Sequence, residues 1–476
     1  MKPTLLFVTC LVIAFLPAAA QDRPALPEHL QKYVAIDQPL VALQNVQVVD
    51  GTGAPARANQ TILIENGAIR QVGAASEVNV PEGAYVVDLA GHTVVPGLVG
   101  LHNHTYYMTA MRSIQLNYSA PLLYLASGVT TIRTTGSTAP YSELNLKASI
   151  DAGSRIGPRI YVTGPYITGG TGFTTMTRVD TPEDARRVVR YWAEEGVSWF
   201  KAYNQISHDA LAAAIDEAHK VGIKVTGHLC SVSFREAVAM GIDNLEHGFF
   251  TNTDYDPEKT KDVCPQNFEH RLADVDLDSE AVQATFAEMI AAGVPMTSTL
   301  AVYEMYVPGR PGVDQRVLDA MSPDVREEYR KTYEQTALLA GDPNYPFTER
   351  LFKKALAYEY AFVKAGGLLA SGVDPTGYGG ALPGFGDQRN YELLLEAGFT
   401  PEEVIQIMSL NGARVLGIED QVGTITAGKL AELVVIEGDP VTEPAAIQNV
   451  KWVFKDGYAF DSPAIIEAVN GVVGIR

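Results

Sequence analysis

The chain has 476 residues, 46% hydrophobic and 19% charged, with 42 Gly and 27 Pro. That balance excludes a disordered or collagen-like chain and suits a large core with appendages. Asp and Glu number 56 against 36 Lys and Arg, a net charge of −20, which disfavours phosphate backbones and so excludes nucleic acid as a partner. The three cysteines are too few for a disulfide-built scaffold.

In residues 1–20, MKPTLLFVTCLVIAFLPAAA, Lys2 precedes an apolar run from Leu5 to Leu16, and small residues Ala18 to Ala20 stand before Gln21. This is the layout of a secretory signal peptide cleaved near Ala20, and the run is short for a membrane span; an uncleaved anchor is the competing reading. A secreted or periplasmic protein follows, with no stable membrane span after signal removal. Whether Cys230 and Cys264 pair stays open. Residues 21–40 are polar and Pro-bearing and read as a tether. From 41 to 95, VALQNVQVV, QTILIENGAIRQVG and YVVDLAGHTVVPG are short β-rich runs with Gly turns, and the texture returns in KLAELVVIEG and VKWVFKDGYAF. The spacing predicts one composite β-sandwich domain built from 41–95 and 422–476.

Between these ends, residues 96–421 alternate apolar runs with helical patterns. The candidate strands are LVGLHNHTY, GVTTIRTTG, RIYVTGPYI, VSWFKAYN, IKVTGHLC, NLEHGFF, PMTSTLAVY and GLLASGVDP; PEDARRVVRYWAEEG, HDALAAAIDEAHKVG and SFREAVAMG read as helices. Eight strands joined mainly by helices predict an α/β fold, a TIM-type (β/α)8 barrel, although an open doubly wound sheet alternates similarly. Residues 251–279 lack periodicity and read as an insertion at the barrel mouth, where loops shape access.

Of nine histidines, four stand at the C-terminal ends of predicted strands: His102 and His104 in LHNHT, His228 in VTGHLC and His247 in NLEHGFF. Residues i and i+2 of a strand share a face, so His102 and His104 can reach one interior point. Asp374 ends the eighth strand, and Lys201 sits inside the apolar fourth, where an unpaired ammonium is costly. In a barrel all six converge on the mouth where such folds place catalysis. Imidazole and carboxylate ligands suit Zn²⁺. Four His and one Asp exceed one tetrahedral catalytic ion, which points to two divalent metal ions. A bare ammonium cannot ligate a cation, so Lys201 would join this set only if deprotonated and carboxylated by CO₂ to N6-carboxylysine.

VVPGLVGLHNHTY, GVTTIRTTG, GPRIYVTG, FKAY, GH, EHG, SGVD and LNGARVLGIEDQVGTITAGKLAELVVIEGDP, in this order, resemble the amidohydrolase superfamily over about Val41 to Gly457. The branch holds imidazolonepropionase-like proteins, metal-dependent prolidases and Xaa-Arg/Lys peptidases. The resemblance implies that His102 and His104 bind a more buried ion, His228 and His247 a more exposed one, and carboxylated Lys201 bridges them. Asp374 would ligate the buried ion and act as general base, and Tyr203 would bind the substrate carbonyl. Three positions depart from the family pattern: Gly100-Leu101 stands where relatives carry Asp before HxH, Thr134 follows Arg133 where they have Asp, and Thr171 replaces a histidine. The first leaves open a weaker hold on metal, for want of a supporting carboxylate.

The expected reaction is hydrolysis of an amide or peptide bond in a small substrate, a dipeptide or N-acyl amino acid, by a metal-bridging hydroxide, with Asp374 moving the proton. A lactonase or cyclic-amide hydrolase uses the same chemistry; a non-catalytic metal-loaded solute-binding barrel is the reading from another class, and Asp374 argues against it. Tyr106 is a candidate substrate contact or an aromatic wall. Arg389, after the eighth strand, is a candidate partner for a substrate carboxylate or a solvated loop residue. His29, His92, His208, His219 and His270 read as surface or structural. A homo-oligomer stays open.

Overall fold

The computed structural model describes residues 23–170 and 174–474. The signal-peptide reading of 1–20 and the Thr171 departure lie outside the described residues.

The alternating runs near the N-terminus form strands Leu40–Val48, Arg57–Glu65 and Ala68–Ala74, paired antiparallel. The last two meet through Asn66-Gly67 at φ 51° and 77°, a turn that needs positive φ at both positions and suits Asn-Gly. His92–Pro96 joins this sheet and pairs with Leu433–Glu437 from the other end of the chain, Val94 opposite Val435. Val450–Lys455 and Tyr458–Asp461 complete the C-terminal share of nine strands. One face buries its own apolar cluster, including Leu43, Ile62, Leu433 and Phe454.

Two boundaries differ from the sequence reading. The segment expected to be a tether is folded: Glu28–Tyr33 is a 3-10 helix and Val34–Ile36 an edge strand against Tyr458–Asp461. Its widely spaced Leu30, Tyr33 and Ile36 are all buried, and that burial outweighs the polar look of the segment. At the far end, helix Ser462–Val469 leaves the sheet, and its Ser462 hydroxyl donates to the carbonyl of Ala126 at the end of helix Ser119–Ala126. Ile465 and Val469 join the large core rather than the small one.

The middle of the chain supplies a ten-stranded sheet, parallel in every pair. Its order runs Arg159–Tyr161, Val129–Arg133, Leu98–Gly100, Leu369–Ser371, Met296–Ser298, Asn244–Glu246, Lys224–Gly227, Trp199–Ala202, Thr163–Thr168, Thr177–Arg178. Arg159–Tyr161 and Thr163–Thr168, near opposite ends of this order, are separated in the chain by Val162 alone. The eight central strands are buried along nearly their whole length, as expected of parallel strands covered on both faces. Helices Pro182–Glu194 and His208–His219 start where the Thr181 and Ser207 hydroxyls accept from backbone N–H groups of the first turn, and Ser233 with Glu236 forms a capping box for Phe234–Ala239.

The strands are shorter than the apolar runs suggested. LVGLHNHTY is a strand only to Gly100, and Tyr106–Met108 turns away to pair with Ser113–Gln115. In PMTSTLAVY the strand ends at Ser298 and Leu300–Glu304 is helical; a buried helix and a buried strand read alike over so few apolar residues. Helices Pro323–Ala337 and Glu349–Lys364 then fill the long connection to Leu369–Ser371.

Candidate active site

All six residues singled out by charge and spacing gather at the C-terminal ends of the parallel strands. The strand ends are tied by backbone bonds: Asp374 donates its N–H to the His102 carbonyl at 2.7 Å, and Asn103 donates to the Arg133 carbonyl at 3.1 Å. A Cβ at Gly372 would lie 2.2 Å from the His102 nitrogen, so only glycine permits this approach of the first and eighth strands.

His102 and His104 follow their strand in irregular backbone, their rings 5.3 Å apart between centroids. His104 Nε2 is 3.2 Å from Asp374 Oδ1 and His102 Nε2 is 3.5 Å from Oδ2. Lys201 Nζ lies 2.8 Å from His102 Nε2. His247 is 4.4 Å from the His102 ring and 4.3 Å from that of His228. Ligand atoms of His102, His247 and Asp374 all fall within 4.8 Å of one another. His247 and Asp374 both hold positive φ, 66° and 48°, a conformation uncommon for non-glycine residues and concentrated at functional sites.

The electrostatics suit a cation. Burial, then the Lys201 charge, holds His102 well below the usual imidazole range, and the same two causes bring His228 to about 3. Burial raises Asp374, yet His102 and His104 outweigh it and keep the carboxylate ionised. Burial lowers Lys201 to about 8. Neutral imidazoles, an ionised carboxylate and an easily deprotonated amine make a ligand set in the form a divalent ion requires. His247 Nδ1 is 2.8 Å from the Thr299 hydroxyl, whereas its buried Nε2 has no hydrogen-bond partner. An orphaned buried nitrogen is costly, and a metal ion would satisfy it.

Two residues escaped the sequence reading. Glu246, the neighbour of His247, is fully buried and accepts from His102 Nδ1 at 2.8 Å and from the Arg133 guanidinium at 2.5 Å; the Thr226 hydroxyl also donates to it. The carboxylate missing before HxH is thus supplied from another strand, and it orients His102. The signal was present: a Glu within the apolar run NLE is as anomalous as Lys201. Tyr166, in register with Lys201, places its hydroxyl 3.4 Å from His104 Nε2 and bonds to the Tyr106 hydroxyl.

Tyr106 stacks on His104 at 4.5 Å, and Tyr203 sits 4.4 Å from the His228 ring. Both line a cavity of about 560 Å³ together with His102, Lys201, His228, His247 and Asp374. Cys230 and Cys264 are joined by a disulfide, which fastens the 251–279 segment to the loop after His228 at the same cavity. Arg389 is not at this site. It forms ion pairs with Glu304, at 2.8 Å, and Glu392, and lines a separate cavity with Arg310 and Tyr329. Two nearby carboxylates already claim its guanidinium, and it does not line the histidine cavity, so it is not placed to pair with a substrate carboxylate there. Among the histidines set aside, His208 pairs with Asp262 and His219 with Asp243.

No curated protein matches the chain by sequence. Among solved structures it is similar to a candidate prolidase from Bifidobacterium longum (24% identity, covering 90% of this chain and 98% of that one, TM-score 0.63). It is also similar to a Xaa-Pro dipeptidase with methionine bound in its active site (19%, 89% and 100%, TM-score 0.65). A bottromycin amidohydrolase superposes at TM-score 0.70 with 19% identity, covering 94% of this chain and 95% of that one. The profile of the Amidohydrolase family matches residues 93–459. The chain therefore belongs to the amidohydrolase family and is a hydrolase acting on carbon–nitrogen bonds.

Proposed function

We propose that the protein is an exported amidohydrolase that holds two divalent ions, most simply Zn²⁺, and cleaves the amide bond of a small substrate such as a dipeptide or N-acyl amino acid. The observation that carries this reading is Lys201: a fully buried amine, brought to about 8 by burial, 2.8 Å from an imidazole of the cluster. As an ammonium it has no lone pair to offer a metal ion; as a carbamate it would be an anionic ligand facing His102. His102, His104 and Asp374 would hold one ion, His228 and His247 the other, with Lys201 between. Bound divalent ions supply Lewis acidity, lowering the pKa of water and polarising a carbonyl.

The chain's own residues do the rest. Asp374, kept ionised by His102 and His104, takes the proton of the attacking water and delivers it to the departing nitrogen. Tyr203, whose hydroxyl burial pushes well above the usual phenol range, stays protonated and donates to the carbonyl oxygen as negative charge develops there. Glu246 holds His102 in one tautomer. The parallel sheet is read as a (β/α)8 barrel in which 159–168 is a single third strand paired on both sides. The disulfide agrees with an oxidising, secreted or periplasmic setting.

Elemental analysis of the purified full chain tests this, alongside turnover on panels of amides, esters and lactones. Two metals per chain in the wild type, fewer than one in Lys201→Ala, and hydrolysis confined to amides are expected. An unchanged metal content in Lys201→Ala would remove the bridging role.

A further inference from the structure

Outside the ligand cluster, one charged side chain among the described residues lines the active-site cavity: Glu269. No described arginine, and no lysine besides Lys201, lines this space. Five aromatic side chains, Phe250, Phe268, Tyr303, Tyr306 and Phe347, line the same cavity, and the Glu269 charge acts on the Tyr303 hydroxyl. Phe250 and Tyr303 stack face to face at 3.8 Å, and Tyr303 meets the His247 ring edge-on at 5.5 Å. The wall therefore continues from the cluster itself. Glu269 is half-buried and makes no ion pair with another described residue; the adjacent Arg271 is committed to Asp256 at 2.7 Å. A half-buried carboxylate that shares a cavity with aromatic rings is an arrangement that attracts a cation, through charge and through the ring quadrupoles.

Building on the hydrolase reading above, we infer that this wall selects amides carrying a positive charge: Glu269 and the Tyr303–Phe250 stack receive an ammonium or quaternary ammonium group of the substrate, while the carbonyl faces the histidine cluster. The cavity is thereby polarised, electrophilic at the cluster and anionic at Glu269. Among small amides this favours peptides with a free amine over N-acylated acids.

Two measurements on the full chain test this separately from the hydrolase reading. Benzyltrimethylammonium cannot ligate a metal, so its binding by calorimetry reports on the wall without turnover. It should bind at least tenfold more tightly than the neutral neopentylbenzene isostere or phenylacetate, and Glu269→Gln should remove most of that difference. In kinetics, matched anilides bearing a trimethylammonium, tert-butyl or carboxylate group should fall in that order of kcat/KM, with steps of about tenfold. Glu269→Lys should invert the order of the charged pair. Amide turnover indifferent to charge, or best with the carboxylate, overturns the inference and leaves the hydrolase reading standing. Charge-selective, Glu269-dependent binding without turnover of any amide does the reverse. Equal binding of the cation and its isostere overturns the inference on the wild type alone, whatever the variants do.

Discussion

Glu246→Gln preserves the shape of the side chain and removes the charge shared by Arg133 and His102. Arg133 is fully buried, its Nη2 2.5 Å from Glu246 and its Nη1 without any hydrogen bond. The guanidinium therefore loses its counter-charge with no water to replace it. Removing one member of a buried pair costs about 3–5 kcal/mol, because the other charge is left uncompensated. His102 Nδ1 meanwhile exchanges a carboxylate acceptor at 2.8 Å for an amide, so the ring becomes a weaker and less well oriented ligand, and metal affinity should fall about 10–100-fold. Urea unfolding of metal-free protein reads the first effect, and competition with a chromophoric chelator reads the second. The double variant Arg133→Met/Glu246→Gln separates them: it should recover part of the stability, since the stranded charge is gone, while metal binding stays weak. Wild-type stability and affinity in Glu246→Gln, or metal affinity restored by the double variant, would refute the assignment of Glu246 as the support of His102.

Asp374→Asn should keep the fold and lower kcat by about 10²–10⁴-fold, read in steady-state assays on a hydrolysed amide. Glu359 is buried with one carboxylate oxygen unpartnered, and burial raises it to about 8. An acid raised on folding keeps its proton where the unfolded chain has lost it, so its contribution is complete below about pH 4.5 and declines as pH rises to about 8. The loss is on the order of 4 kcal/mol, and Glu359→Gln should flatten the fall of the urea midpoint between pH 5 and 8; an unaltered slope would contradict this. Cys264→Ser opens a cross-link spanning a sequence separation of 34, worth about 4 kcal/mol. The protease resistance of 251–279 should fall, together with kcat/KM, because Phe268 and Glu269 lose their anchor; wild-type values in both would count against a role for the bond.

Much of the candidate site was legible because each candidate ligand is an anomaly against its local pattern. A histidine, a lysine or an aspartate closing an apolar run conflicts with burial unless something binds it. Glu246 carries the same signal, masked by the stronger one of its neighbour His247. Helix Leu300–Glu304 and the strand limits were not legible, since three to five apolar residues satisfy either periodicity. The folded segment at Glu28–Ile36 was obscured because its strand, Val34–Ile36, pairs with one more than 400 residues away.

Composition, strand and helix alternation and the placement of His102, His104, Lys201, His228, His247 and Asp374 were determined by the sequence alone, because periodic burial and misplaced charge are local properties. The pairing of Glu246 with both Arg133 and His102, the tie between Cys230 and Cys264, the diversion of Arg389 to Glu304 and the left-handed backbone of His247 and Asp374 were decided only in three dimensions. Those features rest on contacts or strain imposed by distant segments, and no local propensity encodes which of many buried acids a given cation will meet.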